Sequence, residues 1–450
     1  MPLAEAQLAT ERRVHYTQRM GFALEVARPF GRDKEVKRYR LDSGLGLILL
    51  VDPAAPIVTY QTWFRVGSRH EMPGKTGIAH LFEHLMFNQT SSLSPGEFDV
   101  LIERTGGDNN AATWVDWTFY RDTVPSRDLE LAVRLESDRM QNLMLEREQL
   151  ESEREVVIHE RMLRVEDDLD GFLDEKLMKL AYQVHPYHWP TIGWMEDIRD
   201  LSLSDIHAFY RTYYAPNNAT IVIVGDVDEA ETLGLVERYY GAISPSEIPP
   251  ELGQEEPDQT AERRASFQKP IPAPRLFYGY KAPPQGHADW AAMDFIAELL
   301  AGSPSSRLYR RLVVEKELAT SVDSGVLPFR DPGLFRLEIN LVRGISAQQV
   351  EQELEAAIDR LKSGDVPDSE LEKVKSGIET DFWSQLEHCD GKAEALGHYE
   401  TTLGDFRALF EMADRLHAVT AADIARVAKS YLVPDKRTVV MVEPSGEAAP

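Results

Sequence analysis

One internal repeat limits the folds open to this chain. Asp205-Ile206, Tyr213-x-x-Pro216, Thr220-x-Val222-x-Val224 recurs as Asp423-Ile424, Tyr431-x-x-Pro434, Thr438-x-Val440-x-Val442, each pair separated by 218 residues. A helix followed by a β-branched strand therefore occurs twice at one fixed distance, so the chain holds two copies of one α/β unit of roughly 220 residues. Its 450 residues are also too many for one compact core. The expected division is an N-terminal half over 1–242, a linker over 243–274 and a homologous C-terminal half over 275–450. The linker assignment rests on seven prolines with many charges and little periodicity.

The first copy carries a motif that the second lacks. Gly77-Ile78-Ala79-His80-Leu81-Phe82-Glu83-His84 reads as a helix with His80 and His84 one turn apart on one face. Two imidazoles so placed suit one metal ion, and zinc takes such nitrogens. Glu83 leans to the same face, where a carboxylate can take a proton from water without being a ligand. The His-x-x-Glu-His order is the reverse of the commoner zinc motif. A half-buried amphipathic helix whose histidines are satisfied by hydrogen bonds fits the same spacing. In the second copy the corresponding stretch is Asp294 to Leu299, without histidines, so only the first copy is expected to hold metal.

Other stretches surround this helix. Lys37 to Asp52 reads as a hairpin and Ile57 to Gly67 as a strand. A helix is expected from Pro95 to Thr105, followed by a strand opening at Gly106 and continuing to Val124. An exposed strand edge beside a metal suits β-augmentation by an extended peptide, and an ordinary sheet strand suits the same residues. Ser126 to Leu169 reads as long helix in one or two pieces, with Glu153 and Glu160 two turns apart on one face. That face can offer one carboxylate to a metal with a second behind it, or can be a solvated face.

Composition excludes several classes. A net charge of −26 argues against a nucleic-acid partner; it suits basic peptides, or solubility alone. The single cysteine, Cys389, excludes an internal disulfide framework and a cysteine-rich metal site. No apolar run is long enough to span a membrane. Met1 to Phe30 lacks the apolar core of a signal peptide. The expected location is cytoplasmic, or periplasmic if a signal has been removed.

Together these residues resemble the pitrilysin, or inverzincin, family of zinc metallopeptidases, with a chain length like that of its processing-peptidase-like subfamily. The likeness runs from about Arg38 to Pro444. It includes Val66-Gly67-Ser68 with Glu71, the Thr76 to His84 motif, Asn109-Asn110-Ala111, Arg154-Glu155-Val156-Val157 with Glu160, His185-Pro186-Tyr187 with Pro190 and Gly193, and Pro216-x-Asn218. It implies an α+β fold of two homologous α/β halves, each an antiparallel sheet with helices, closing as a clamshell over a chamber. It implies Zn2+ held by His80, His84 and Glu160, with Glu83 as general base and Glu153 orienting the site. Asn110 and Ala111 would begin the strand that pairs with peptide substrate.

The likeness also has a gap. The family often carries an arginine and a tyrosine in its second half that hold the substrate carbonyl, and those positions here are Val313 and Thr320. Neither side chain can donate as a guanidinium or phenol does. The resemblance therefore implies the zinc-bearing subunit of a heterodimer, whose metal-free homologous sister supplies that pair. The contrasting expectation is a non-catalytic structural or metal-binding subunit of a larger complex.

Overall fold

The computed structural model describes residues 21–251 and 255–445. Its strands are β1 (Phe22–Phe30), β2 (Lys34–Leu41), β3 (Gly46–Val51), β4 (Ile57–Phe64), β5 (Asp108–Thr113), β6 (Thr118–Pro125), β7 (Ala219–Gly225), β8 (Arg263–Lys269), β9 (Arg275–Lys281), β10 (Ala319–Val326), β11 (Leu334–Leu341) and β12 (Arg437–Pro444). The first-half helices are α1 (Ile78–Leu85), α2 (Glu97–Arg104), α3 (Leu129–Asn142), α4 (Arg147–Arg161), α5 (Leu169–Ala181), α6 (Met195–Asp200), α7 (Leu203–Tyr213) and α8 (Glu229–Tyr240). The second half has α9 (Trp290–Leu300), α10 (Ala347–Ser363), α11 (Asp368–Gln385), α12 (Cys389–Leu403), α13 (Ala408–Ala418) and α14 (Ala421–Tyr431). No helix among the described residues is long and apolar enough to cross a membrane.

Two sheets result, ordered β1-β2-β3-β7-β4-β6-β5 and β10-β11-β9-β12-β8. Read from β5 and from β10, the five-strand patterns coincide, and in both the last pairing is parallel, β3 on β7 and β8 on β12. The repeat is visible to the residue. Helices α7 and α14 start and stop 218 residues apart, and each opens with a capping box, Ser202 with Asp205 and Thr420 with Asp423. The fold is thus the expected pair of α/β halves.

One boundary differs from the expectation. The stretch read as a linker over 243–274 contains β8, the counterpart of β3, so the second sheet takes its first strand from inside it. Arg263-Arg264-Ala265-Ser266-Phe267-Gln268-Lys269 alternates between half-buried and exposed positions at the sheet's edge. Polar residues suffice there, and no apolar run marks the strand. The long helix read over 126–169 is likewise divided, into α3 and α4 with an irregular turn between them and a π-helical turn over Met162–Glu166 after α4.

The halves cover each other's sheets. One face of the first sheet packs on α1, α3, α7 and α8 from its own half. The other face places Ile48, Leu50, Trp63, Val222 and Val224 against Ala393, Leu396, Phe406 and Leu409, which lie on or between α12 and α13 of the second half. Reciprocally, Leu173, Leu177 and Met178 of α5 cover Phe277, Val440 and Val442 of the second sheet. Buried ion pairs follow the same exchange, Lys392 to Asp52 at 2.8 Å and Arg38 to Glu400 at 2.9 Å.

A polar clasp closes the seam. Arg69 contacts Asp116 at 3.2 Å in its own half and Asp331 at 2.6 Å in the β10–β11 loop. His185 Nδ1 accepts from the Tyr187 amide, which leaves Nε2 as the donor to Asp331 at 3.0 Å. The Tyr187 hydroxyl donates to Asp116 at 2.8 Å and accepts from the Asp331 amide. The His185-Pro186-Tyr187 motif therefore joins the two halves in space.

Candidate metal centre and active site

Helix α1 buries Ile78, Ala79, Leu81, Phe82 and Leu85 in the first core, which leaves His80, Glu83 and His84 on its open side. Its start is held unusually. Gly77, the N-cap, has φ +86° and no capping side chain. The buried Glu71 carboxylate instead accepts from the Gly77 and Ala79 amides, both at 2.9 Å. Carboxyl oxygens there satisfy N–H groups that the helix start leaves without partners. Burial, opposing those two donations, holds the Glu71 pKa well above the usual carboxylate range. Gly77 also meets Gly193, itself at φ +86°: a Cβ on Gly77 would lie 2.5 Å from the Ile192 carbonyl oxygen, and one on Gly193 would lie 2.4 Å from the Gly77 Cα. The 190–194 loop thus sets where α1 begins.

Helix α4 brings in the carboxylates. Glu160 Oε2 lies 3.6 Å from His80 Nε2 and 3.4 Å from His84 Nε2. Donor atoms of His80, His84 and Glu160 all fall within 4.8 Å of one another, the one such set of three His, Cys, Asp or Glu residues among the described residues. On the other side of the His84 ring, Nδ1 faces Glu153 Oε2 at 3.7 Å, and Asn88 donates to Glu153 Oε1 at 3.0 Å. Glu153 is thereby placed to orient an imidazole rather than to join the set. His80 Nδ1 is buried without a partner.

The electrostatics separate the groups. Burial, partly offset by Glu160, lowers the His80 pKa to about 4. Burial opposes charge on His84 as well, but Glu153 and Glu160 outweigh it and raise the pKa to about 9. His84, ahead of the opposing burial, holds Glu160 below the usual carboxylate range, with His80 and Arg164 adding to it. Burial raises the Glu83 pKa against the hydroxyl and amide of Thr113, and Glu83 Oε2 is buried without a hydrogen bond. Two nitrogens and one carboxylate oxygen at this spacing are the donor set of a three-ligand zinc site. The residues present therefore fit a metal, and the unpartnered Glu83 oxygen sits beside it.

An open cleft of about 790 Å³ gives access. Its floor is the donor set, one wall is Asn110 to Thr113 of β5, and the other is Val156, His159, Leu163 and Arg164. Among the described residues β5 is the sheet edge and pairs only with β6, so no described strand lies on its other side. The Asn110 side chain accepts from the Ala111 amide at 2.9 Å, which occupies the group that an added strand would use.

Among the described residues, none from the second half lines the cleft. Val313 packs against the second core, and Thr320 on β10 donates to the Asn340 carbonyl. The nearby arginines are committed elsewhere, Arg307 to Glu370, Arg310 to Glu315 and Arg311 to Glu353. In α9, Asp294 and Glu298 take the His80 and His84 spacing; burial, with Glu298 and Asp381, raises the Asp294 pKa to about 7. Sequence reasoning assigned no role to Glu71, Thr113 or Arg164. Only Glu71 had a signal, as part of the Val66 to Glu71 match, and the other two are brought in by packing.

Comparison with known proteins follows the same division. Residues 47–193 match the family described as Insulinase (Peptidase family M16), and residues 200–378 match its Peptidase M16 inactive domain. The chain is 31% identical over 408 residues to "Zinc protease PqqE" of Helicobacter pylori, covering 90% of this chain and 92% of that protein. It superimposes on the crystal structure of a protease from Helicobacter pylori with a TM-score of 0.88 at 31% identity, covering 91% of this chain and 100% of that one. The fold is shared with the periplasmic protease PqqL of Escherichia coli, TM-score 0.76 at 18% identity, where 93% of this chain spans 48% of that one. Sequence, architecture and the His80–His84–Glu160 arrangement agree, and the chain belongs to peptidase family M16, the insulinase family.

Proposed function

We propose that this chain is a zinc-dependent endopeptidase acting on extended, unfolded peptides. The observation that carries the reading is the meeting of His80, His84 and Glu160 beside an unpartnered Glu83 oxygen, in an open cleft bounded by a free sheet edge. Zinc held by those three residues would supply Lewis-acid chemistry, polarising a peptide carbonyl and easing the deprotonation of water. Glu83, its pKa raised by burial, takes the proton from the attacking water and returns it to the leaving amine. Glu153 holds the His84 ring through Nδ1. The peptide lies along β5, after the Asn110 side chain releases the Ala111 amide. Names of zinc proteases among the relatives support the class of reaction and the metal.

The test is Glu83→Gln. The variant should keep one zinc per chain and lose at least ~100-fold in peptide hydrolysis. Hydrolysis at the original rate in a metal-replete sample would remove Glu83 from the mechanism.

No described second-half residue lines the cleft, and Val313 and Thr320 stand where the family often has its arginine and tyrosine. A sister subunit without metal ligands would provide both, and the likeness of this chain's fold to about half of a longer protease is in keeping with such pairing. Co-expression with that sister should raise activity, whereas full activity of the purified chain alone would refute the heterodimer. The competing reading, a non-catalytic subunit, draws on the inactive-domain match over 200–378. Stoichiometric zinc without turnover on any peptide, even with a sister chain, would favour it.

A further inference from the structure

We propose that Arg164 is a specificity-determining residue of the cleft and selects peptides carrying a carboxylate close to the scissile bond. The inference rests on the peptidase reading of the site and names a chemical feature of its substrate. Arg164 follows Glu160 by four residues, inside the π-helical turn Met162–Glu166 that ends α4. Such turns are frequent at functional sites.

The two oxygens of Glu160 are divided by their neighbours. Oε2 faces both histidines, while Oε1 lies 3.0 Å from Arg164 Nε. That contact uses one edge of the guanidinium. Its terminal nitrogens make no hydrogen bond among the described residues, and the side chain is 75% exposed. Among the described residues Arg164 is also the one lysine or arginine lining the cleft. Its neighbours Val156 and Leu163 are 47% and 69% exposed, so the wall around it is apolar and unpacked. A planar donor pair set in such a wall matches a carboxylate geometrically, and charge-assisted pairs of this kind are the stronger hydrogen bonds. The chain's net charge of −26 does not cancel this preference. Charge outside the cleft is screened within a Debye length of about 8 Å at physiological salt, whereas a peptide on β5 meets Arg164 directly.

Zinc-loaded Glu83→Gln chain and fluorescent peptides test the inference through binding. The peptides share one cleavage sequence and carry a single Asp or Lys, or Asn as control, at each of the three positions on either side of the scissile bond. Asp should bind about tenfold tighter than Asn at one position. Adding Arg164→Ala should abolish the difference, Arg164→Lys should keep part of it, and Arg164→Glu should reverse it toward Lys peptides. Metal analysis of every variant reports whether Glu160 still holds zinc. Equal binding of Asp and Asn peptides at all positions would overturn the inference, as would a preference that survives Arg164→Ala. Zinc loss with equal weakening toward all peptides would leave Arg164 a positioning role only, and would also overturn it. Arg164-dependent binding by a chain that hydrolyses nothing would sustain the inference and sink the peptidase reading. Hydrolysis without the Asp preference would do the opposite.

Discussion

Replacing Gly77 by alanine tests whether the glycine contact at the start of α1 holds the metal site in place. Gly77 has φ +86°, where a side chain costs about 1 to 2 kcal/mol. The added methyl would also lie 2.5 Å from the Ile192 carbonyl oxygen and 3.1 Å from the Gly193 Cα. Both neighbours are backbone and cannot swing aside, so overpacking adds about 1 to 3 kcal/mol. The expected loss is about 2 to 5 kcal/mol, a large part of a typical folding free energy. His80 is three residues downstream, and the shift that relieves the clash moves its ring relative to Glu160. Zinc affinity should fall about tenfold or more, as it does when groups supporting a ligand are lost. Gly74→Ala is the matched control: φ is +82°, but a Cβ there meets nothing within 4 Å. It should show the backbone cost alone and bind zinc normally. Urea unfolding and zinc competition against a chelator measure both quantities. If Gly77→Ala and Gly74→Ala match in stability and in zinc affinity, the contact with the 190–194 loop does not set the helix.

Other expectations follow from the same site and seam. Glu153→Ala should weaken zinc binding about 10- to 100-fold without abolishing it, measured by the same competition, because His84 keeps its ligand nitrogen but loses its orienting partner. Zinc must displace the His84 proton, so apparent affinity should rise with pH up to about 9 and then level off; a flat profile between pH 7 and 9 would show the ring neutral in the metal-free fold. In that metal-free chain, His84 stabilises the fold below its ordinary value of 6.5, and the contribution is lost as pH rises through about 9. His80 works in the other direction: its contribution is present above 6.5 and is lost as pH falls through about 4. Arg69→Met should cost about 3 to 5 kcal/mol in urea unfolding, since the buried Asp116 would lose the cation that opposes its desolvation and Asp331 would lose one of its links to the first half. A loss under 1 kcal/mol would mean the clasp does not bear on stability.

Much of this was legible in the residues, and the remainder was hidden for identifiable reasons. The helix–strand repeat was exact because Ser202 and Thr420 cap α7 and α14 alike and the strands after them are buried in the same register. His80, Glu83 and His84 were readable because one helical turn fixes their relation. Glu160 became readable through resemblance, since 75 residues separate it from His84 and no local rule spans that distance. β8 was missed because an edge strand can be polar. The exchange of α5 and α12 left no local trace: an apolar helix stripe reports that it is covered, not which sheet covers it. Arg164 looked like one charge among many until the fold placed it in the cleft beside Glu160.

That exchange has a consequence for dissection of the molecule. Without α12 and α13, the first sheet would present Ile48, Leu50, Trp63, Val222 and Val224 to water, all at most 1% exposed in the intact chain. At about 1.5 to 3 kcal/mol for each side chain, the loss is on the order of 10 kcal/mol, comparable to a whole domain's stability. A fragment ending before the second half should therefore aggregate on its own and become soluble when the missing piece is supplied in trans. By the same reasoning, a single unit of this design could persist only as an intertwined pair, each member lending the other a helix. Joining two such units into one chain makes that loan permanent and leaves one member's metal site free to decay.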